Sequence, residues 1–549
     1  MSTQEQRGYQ MFPVLDAARV ETALRFASGP ERRFAPGEIV YDHGQRDAPS
    51  WLVLSGSVDI TRRDGLDRKA PIVTFGPGQF TGEINQLAGR PAITCARAGE
   101  QGATAQPFDA AHLRALMIGS AEIGETVMRA LILRRVGLIE EGAAGTIIIG
   151  AQDSSAVVRL QGFLARLGYP YQLLDARGDG EGHALIERFG VTPDELPLVV
   201  CPDGSLLRRP SEIDMARCLG ITPEIDPNKL YDVAVVGAGP AGLAAAVYAA
   251  SEGLSTIVLD GLAIGGQAGA SNRIENYLGF PTGISGRALA GRAFNQALKF
   301  GAEIAIPLEV QRLDCPEGKT CPERPLGVVL ADDKRVKART VVVASGARYR
   351  RPEVERLEMF EGKGISYWAS PIEARLCAGE DVALVGGGNS AGQGVVFLAP
   401  QVKHLHLVVR RPLEATMSRY LIDRIHALPN VTIHVGSEIA ALEGDCQTGL
   451  TGVVFRDRKD GSTERCAVRY LFLFIGADPN ARWLVGCVET DDKGFVLTGK
   501  APLALETTRP GVFAIGDVRS GSVKRVAAGV GEGAAVVAQI HQALAAQAS

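Results

Sequence analysis

Apolar residues fall into short runs in the first quarter of the chain and into strand–helix alternation beyond it. Phe34-Ala-Pro-Gly37-Glu38-Ile-Val40, Trp51–Ile60 and Ile72–Gly78 are short apolar stretches cut by Gly and Pro at near-regular spacing. That pattern predicts a β-roll. Over Ala111–Glu140 the period changes: Leu113, Leu116, Met117, Ile123, Val127, Leu131 and Ile132 form stripes at helical spacing, predicting a closing helix. Residues 145–222 then read as strand (Thr146–Ile149), amphipathic helix (Val157–Leu167), strand (Tyr171–Asp175), helix, and a Pro-led strand (Glu195–Val200). The turn Pro202-Asp203-Gly204 follows. The segment 222–229 carries Pro223 and Pro227 without an apolar period and reads as a linker.

From residue 230 the pattern is that of nucleotide-binding α/β units. Tyr231–Val236 is a strand, and Gly237-Ala238-Gly239-Pro240-Ala241-Gly242 turns it into the helix Leu243–Ser251. The first glycine makes the tight turn, the second lets backbone approach a pyrophosphate, and the third lets the helix pack on the strand. The helix N-terminus turns its positive end to the phosphates. The next strand, Ser255–Leu259, ends at Asp260, where a carboxylate suits ribose hydroxyls. Val233–Ser251 holds no charged residue and is long enough to cross a bilayer, but Gly237, Gly239 and Pro240 break it, so no membrane span is assigned. A second fingerprint follows Asp381–Val385: Gly386-Gly387-Gly388-Asn389-Ser390-Ala391. Its second strand, Leu405–Val409, ends in Arg410-Arg411 rather than an acid, which favours the 2′-phosphate of NADPH over NADH. A chain that holds two dinucleotides can pass hydride from one to the other.

Composition narrows the class further. The 549 residues suit three or four domains, and 46% hydrophobic with 22% charged residues suits a soluble globular protein. A net charge of −4 gives no basic field for nucleic acid. Nine cysteines without a framework and without a Cys-x-x-Cys read as reduced thiols in a cytoplasmic protein. The N-terminus lacks the apolar core of a secretory signal. The eight histidines show no metal spacing, and no metal site is assigned.

Three family resemblances attach to these motifs. Residues 1–140 resemble a cyclic-nucleotide-binding domain, including Phe80-Thr81-Gly82-Glu83 where that family cradles its phosphate. The family's phosphate arginine is replaced by Ala92, and Arg90 is expected on the other face of a strand. A docking or dimer-packing role is therefore favoured over cyclic nucleotide binding. Residues 145–222 resemble a thioredoxin or glutaredoxin fold, which implies a cis Pro197. The redox pair's place reads Ser154-Ser155-Ala156-Val157, which supplies no thiolate, so the domain is degenerate.

Residues 230–549 resemble thioredoxin reductase. The likeness rests on Gly265-Gly266-Gln267, Ile274-Glu275-Asn276-Tyr277, Gly279-Phe280-Pro281, Ala344-Ser345-Gly346-Ala347, Gly511–Val518 and Lys524-Arg525-Val526-Ala527. It implies FAD held by Gly237, Gly239, Pro240, Ala241, Gly242, Asp260, Gly261, Gly266, Gln267, Asn276, Val310, Ala344, Gly346, Gly516, Asp517, Lys524, Arg525 and Val526. NADPH falls to Gly386, Gly388, Asn389, Ser390, Arg410 and Arg411. The expected architecture is multidomain: a β-roll with closing helices, a small thioredoxin-like α/β domain, and two Rossmann-like domains. These are an FAD-binding domain of residues 230–345 and 470–549 and an NAD(P)H-binding domain of residues 346–469. The resemblance also implies a homodimer and a nicotinamide domain that rotates.

Where thioredoxin reductases carry Cys-Ala-Thr-Cys, this chain reads Trp368-Ala369-Ser370-Pro371. Electrons are therefore expected to leave toward a non-disulfide acceptor: a ferredoxin-like protein, a quinone, oxygen or a small molecule. No side chain is assigned a certain catalytic role; Tyr367 and Trp368 are flavin-proximal candidates. Two alternatives stand beside this reading. One is a flavin-bearing redox sensor or scaffold with little turnover. The other is a thioredoxin-disulfide reductase using an unmapped thiol, with Cys377 the candidate. Cys315 and Cys321 flank a surface loop and could bridge under oxidation, but no role is assigned to them.

Overall fold

In a computed structural model, which describes residues 3–140, 145–315 and 324–548, the chain divides into two compact units. One comprises Met1–Val236, Ala245–Ile264 and Arg292–Val341; the other comprises Gly237–Ala244, Gly265–Gly291 and Val342–Ser549.

The first unit begins with two helices, Thr3–Met11 and Ala17–Leu24, ahead of the predicted β region. The first is too polar to show an apolar period. Five antiparallel strands then form the roll. Cys95–Phe108 pairs with Arg32–Phe34, Ile39–Tyr41 and Ser50–Arg63, which pairs onward to Lys69–Phe75. Phe34, Tyr41, Trp51, Val53, Val58 and Phe75 fill its interior. The predicted closing helix is two, Ala110–Gly119 and Ala121–Glu140, because Ser120 adopts an extended conformation between them. Arg90 lies in the loop before the strand Cys95–Phe108, not on a strand as expected.

Residues 145–222 build a four-stranded sheet in the order Gln172–Asp175, Ile147–Gly150, Leu198–Val200, Leu206–Arg208, with only the first pair parallel. The Leu196–Pro197 bond is cis. Pro197 and Val157 crowd Gly150, where an added Cβ would lie 3.2 Å and 2.6 Å from their side chains. The segment Ser154–Val157, at the start of the helix Ser155–Leu167, thus offers two hydroxyls and no thiol, and its Val157 is buried in the core.

The expectation of reduced cysteines is corrected here. Cys201, at the end of Leu198–Val200, is disulfide-bonded to Cys218 at the end of the helix Glu212–Cys218, with a Cα–Cα distance of 5.6 Å. Composition and spacing misled because the two thiols meet through packing of that helix on the sheet. Cys315 and Cys487 are also disulfide-bonded, and Cys321 lies outside the described residues. Cys95, Cys377, Cys446 and Cys466 are free. Closing a loop with a sequence separation of 17 stabilises by about 3 kcal/mol through the unfolded chain. Reduction is therefore expected to lower hydrogen-exchange protection over 145–222 by that amount. Unchanged protection after reduction would show that the bridge carries no stability.

The FAD-type sheet runs in the order Glu303–Ala305, Thr256–Leu259, Leu230–Val236, Arg335–Val343, Leu326–Leu330, Val310–Asp314. The first three strands are parallel and the last three antiparallel. The uncharged stretch resolves into the strand Leu230–Val236 and the helix Pro240–Ser251. Among the described residues no helix is long and apolar enough to cross a membrane.

In the second unit, five parallel strands run in the order Ile365–Ser366, Tyr470–Leu473, Asp381–Val385, His404–Val409, Val431–Val435. A three-stranded meander, Ser437–Asp445, Gly449–Asp457 and Thr463–Cys466, packs on one face through Leu442, Leu450, Val453, Phe455 and Cys466. The sheet includes Tyr470–Leu473, so it runs past the boundary expected at 469. The chain enters and leaves this domain through one antiparallel pair, Ala347–Tyr349 with Ala477–Pro479.

Candidate functional site

At the first glycine turn, Gly237 has φ +114°, and a Cβ there would lie 2.2 Å from the Ala344 carbonyl oxygen. A Cβ on Gly242 would lie 1.9 Å from the Gly237 carbonyl oxygen. Gly239 differs: its Cβ would meet nothing within 4 Å, leaving the backbone open where a pyrophosphate approaches. Pro240 opens the helix, a position whose N–H would be free in any case.

Other predicted residues gather at this turn. The Gly265 N–H donates to the Ala238 carbonyl, and the Gly266 Cβ position is 3.2 Å from Gly239 Cα. Gly516 (φ +69°) sits against Ala241, and Gln267 Nε2 donates to the Ala347 carbonyl. Gly346 borders open space. Backbone crowding on one side of the turn and open space at Gly239 and Gly346 fit a dinucleotide. Asn276 is exposed on the loop closed by the Ile274–Ile284 bridge.

Asp517 follows Gly516, and burial pushes its carboxyl above the usual range. Lys524 Nζ donates to the Asp517 carbonyl at 2.6 Å and to Ser522 Oγ at 2.7 Å, while burial pulls its ammonium down. Arg525 precedes the terminal helix that begins at Val526. Sequence reasoning missed Glu532, whose Oε2 accepts the Gly516 N–H at 2.6 Å and which pairs with Arg519. Its signal was available: it is the single acid in the helix Val526–Ala548.

The remaining predicted residues belong to the first unit. Asp260 Oδ1 accepts the Leu262 and Ala263 N–H groups, at 2.9 Å and 3.2 Å, and the Asp260 carbonyl accepts Leu308. Gly261 abuts Glu309, next to Val310 at the start of its strand. One carboxylate oxygen of Asp260 thus shapes the turn itself.

The second turn repeats the first. Gly386 has φ +148°, with its Cβ position 2.5 Å from the Phe474 carbonyl oxygen, while Gly388 borders open space at the start of the helix Asn389–Leu398. Asn389 Oδ1 accepts the Ser418 N–H at 2.7 Å, and Thr416 Oγ1 donates to Gly387, so Asn389 braces the loop. Ser390 is hydrogen-bonded to the Tyr349 side chain. Beyond the strand His404–Val409, Arg410 is 3.9 Å from Glu438, which also pairs with Arg456 at 2.6 Å and Arg458 at 3.6 Å. The Arg456 hydrogen bond, the largest favourable cause, holds the Glu438 carboxyl low. Arg456 and Arg458 were missed because the meander folds them back onto the carboxylate that Arg410 faces. One acid among three arginines suits a doubly charged phosphate.

The tetrad Trp368-Ala369-Ser370-Pro371 is tied down by a buried acid. Glu373 accepts from Trp368 Nε1 at 2.9 Å, from the Ser370 N–H at 3.0 Å and from Ser370 Oγ. Ser370 caps the helix Pro371–Leu376. The Tyr367 hydroxyl donates to Glu361, itself paired with Arg351, and burial raises the phenol further. Cys377 is fully buried in the domain core, and burial lifts its thiol to about 11. It is a protonated core residue, unsuited to thiolate exchange.

In the roll, Arg134 of the closing helix reaches the predicted phosphate cradle. It donates to the Gly82 carbonyl at 2.8 Å and the Met11 carbonyl at 2.9 Å, with its guanidinium over Phe75 and Phe12. Arg135 pairs with the buried Glu83. Burial draws Arg134 down to about 10. The space left is about 40 Å³, against roughly 300–1,000 Å³ for ordinary ligand pockets. Arg90 turns elsewhere: it is half-buried, donates to the Ile304 carbonyl at 3.2 Å and lies over Phe294.

Comparison with known proteins agrees with this geometry. Residues 231–533 match the pyridine nucleotide-disulphide oxidoreductase family, and residues 31–118 match the cyclic nucleotide-binding domain. NADPH-dependent thioredoxin reductase 3 of Arabidopsis thaliana is 33% identical over 309 residues, 55% of this chain and 56% of that protein. The chain thus spans about half the length of that relative. Thioredoxin reductase of Mycolicibacterium smegmatis is 33% identical over 319 residues, 58% of this chain and 98% of that protein. The crystal structure of Lactococcus lactis thioredoxin reductase superposes with a TM-score of 0.53 at 26% identity, covering 58% of this chain and 99% of that one.

Proposed function

The chain belongs to the pyridine nucleotide-disulphide oxidoreductase family, and from that premise we propose an FAD-dependent oxidoreductase that takes hydride from NADPH and delivers electrons to a non-disulfide acceptor. The observation that carries the acceptor half is the tetrad: Trp368 and Pro371 stand where the family keeps its thiols, and Glu373 locks that turn. The unmapped-thiol alternative loses support from the buried, protonated Cys377.

When bound, FAD supplies the hydride-accepting and electron-releasing chemistry. The chain's own residues bind and orient. Gly237, Gly239 and Gly242 admit one pyrophosphate, Gly386 and Gly388 the other, and Glu532 holds the Gly516-Asp517 turn through the Gly516 N–H. Arg410 and Arg411, backed by Arg456 and Arg458, select the 2′-phosphate. With FAD bound, Tyr367 and Trp368 would border the flavin face and screen it from water. The protein is read as a cytoplasmic homodimer, with residues 145–222 a degenerate thioredoxin-like domain.

The test is an anaerobic titration with NADPH followed by an acceptor panel. The flavin is expected to bleach, and a quinone, ferredoxin or oxygen to restore its colour faster than a thioredoxin-type disulfide does. Efficient turnover with the disulfide would overturn the acceptor assignment.

The first domain is read as a docking module. Support comes from Arg134 filling the cradle and from Ala92 in place of the phosphate arginine. Glu83 Oε1 and Gln86 Nε2 lack protein partners, and the residual space suits a water molecule. A nucleotide at about 100 times its Kd would stabilise by about 2.7 kcal/mol. No change in melting with cAMP or cGMP is expected, and a clear upward shift would reverse this reading.

A further inference from the structure

Away from both nucleotide turns, three strands bring two imidazoles and a thiol to one point. His406 lies in His404–Val409, His434 in the adjoining strand Val431–Val435, and Cys466 ends the meander strand Thr463–Cys466. His406 Nδ1 is 3.1 Å from His434 Nε2 and 3.9 Å from Cys466 Sγ, and the three atoms lie within 4.8 Å of one another. Cys466 is buried, and the His434 side chain is 12% exposed.

Tetrahedral Zn²⁺ takes nitrogen at about 2.0–2.1 Å and sulfur at about 2.3 Å, which sets N···N near 3.3 Å and N···S near 3.6 Å. Small side-chain rotations bring the three atoms to that spacing. A separate feature points the same way. Glu464 Oε2 lies 3.5 Å from His434 Nδ1, so a carboxylate stands behind the imidazole whose other nitrogen faces the centre. Metal-binding histidines are oriented in this manner. His404 shares a face with His406 but is hydrogen-bonded to Thr432, and the Phe455 ring flanks His434 at 5.5 Å.

We propose that His406, His434 and Cys466 bind a borderline-soft divalent cation, Zn²⁺, with water in the fourth position. The ion replaces the proton on the Cys466 thiol, which leaves to solvent. The hydrogen bond between the two imidazoles opens, and the proton between them moves to an outward-facing ring nitrogen, so one proton is released per ion. Bound metal would pin the meander to the parallel sheet of the NADPH-binding domain. The sequence concealed this site because His434 and Cys466 lie 28 and 60 residues from His406.

The full-length flavoprotein, treated with EDTA, is titrated with Zn²⁺ against a chromogenic chelator, and separately with Co²⁺. Expected results are one tightly held Zn²⁺ per chain, affinity rising about tenfold per pH unit as the thiol proton is lost, and a thiolate-to-cobalt charge-transfer band. Cys466→Ser and His406→Gln should lose both while keeping flavin content and bleaching by NADPH. Cys446→Ser, which removes an exposed thiol, should lose neither. Wild-type protein that gives no thiolate–cobalt band, or that takes up no more Zn²⁺ than Cys466→Ser, would overturn the proposal and leave a hydrogen-bonded imidazole pair beside a buried thiol.

Discussion

Gly237→Ala is expected to purify without bound flavin and to oxidise NADPH at background rate. The residue sits at φ +114°, a region that L side chains rarely adopt, and an added Cβ would lie 2.2 Å from the Ala344 carbonyl oxygen. That contact is with backbone, so relief requires moving either the glycine turn or the strand end that carries Ala344. Strain of this kind costs on the order of 1–3 kcal/mol before the clash is counted. About 3 kcal/mol placed on the binding-competent turn weakens FAD by more than about a hundredfold. Gly291→Ala serves as the control. It lies in the helix Gly286–Lys299 with nothing within 4 Å of its Cβ position, and there alanine favours the helix by about 1 kcal/mol. The absorbance ratio of flavin to protein reads both. A Gly237→Ala protein with full flavin would refute the assignment of this turn to FAD.

The second large effect concerns coenzyme choice. Arg410→Ala/Arg411→Ala should raise KM for NADPH by about ten- to a hundredfold, the loss of about 1.4–3 kcal/mol of charge-assisted contact. KM for NADH and kcat should stay near wild type, because the 2′-phosphate is remote from the reacting ring. Glu438→Gln should act in the opposite direction. That carboxylate is held ionised by Arg456 and faces Arg410 and Arg458, so its removal frees positive charge for the phosphate. Steady-state kinetics with both coenzymes measure this. Equal KM changes for NADPH and NADH would remove the arginines from the 2′-phosphate.

Both glycine turns were legible because their requirement is local. A backbone with φ above zero and a helix start facing a phosphate need Gly at fixed spacing within about six residues. The cis Pro197 was legible only through the resemblance of residues 145–222 to a thioredoxin or glutaredoxin fold. Arg456 and Arg458 were not, since nothing in their own neighbourhoods calls for a charge beside a nucleotide turn. Arg134 shows the same limit. It belongs to a regular helix, and its meeting with Gly82 depends on how that helix crosses the roll, 52 residues away. The cysteines gave the opposite error. Scattered spacing argued for free thiols, whereas Cys201 and Cys218 meet because a helix lies back on its sheet.

From the order of its residues alone, then, this protein's two glycine turns with their flanking strands and helices, the arginine pair and the absence of any Cys-x-x-Cys were determined, each a matter of short-range backbone geometry or of residue identity. Tertiary structure decided which distant side chains converge: the arginine cluster around Glu438, the Glu532 brace, the arginine in the roll's cradle and the His–His–Cys group. Those meetings depend on strand order and helix packing, which join positions tens of residues apart and leave no periodic trace along the chain.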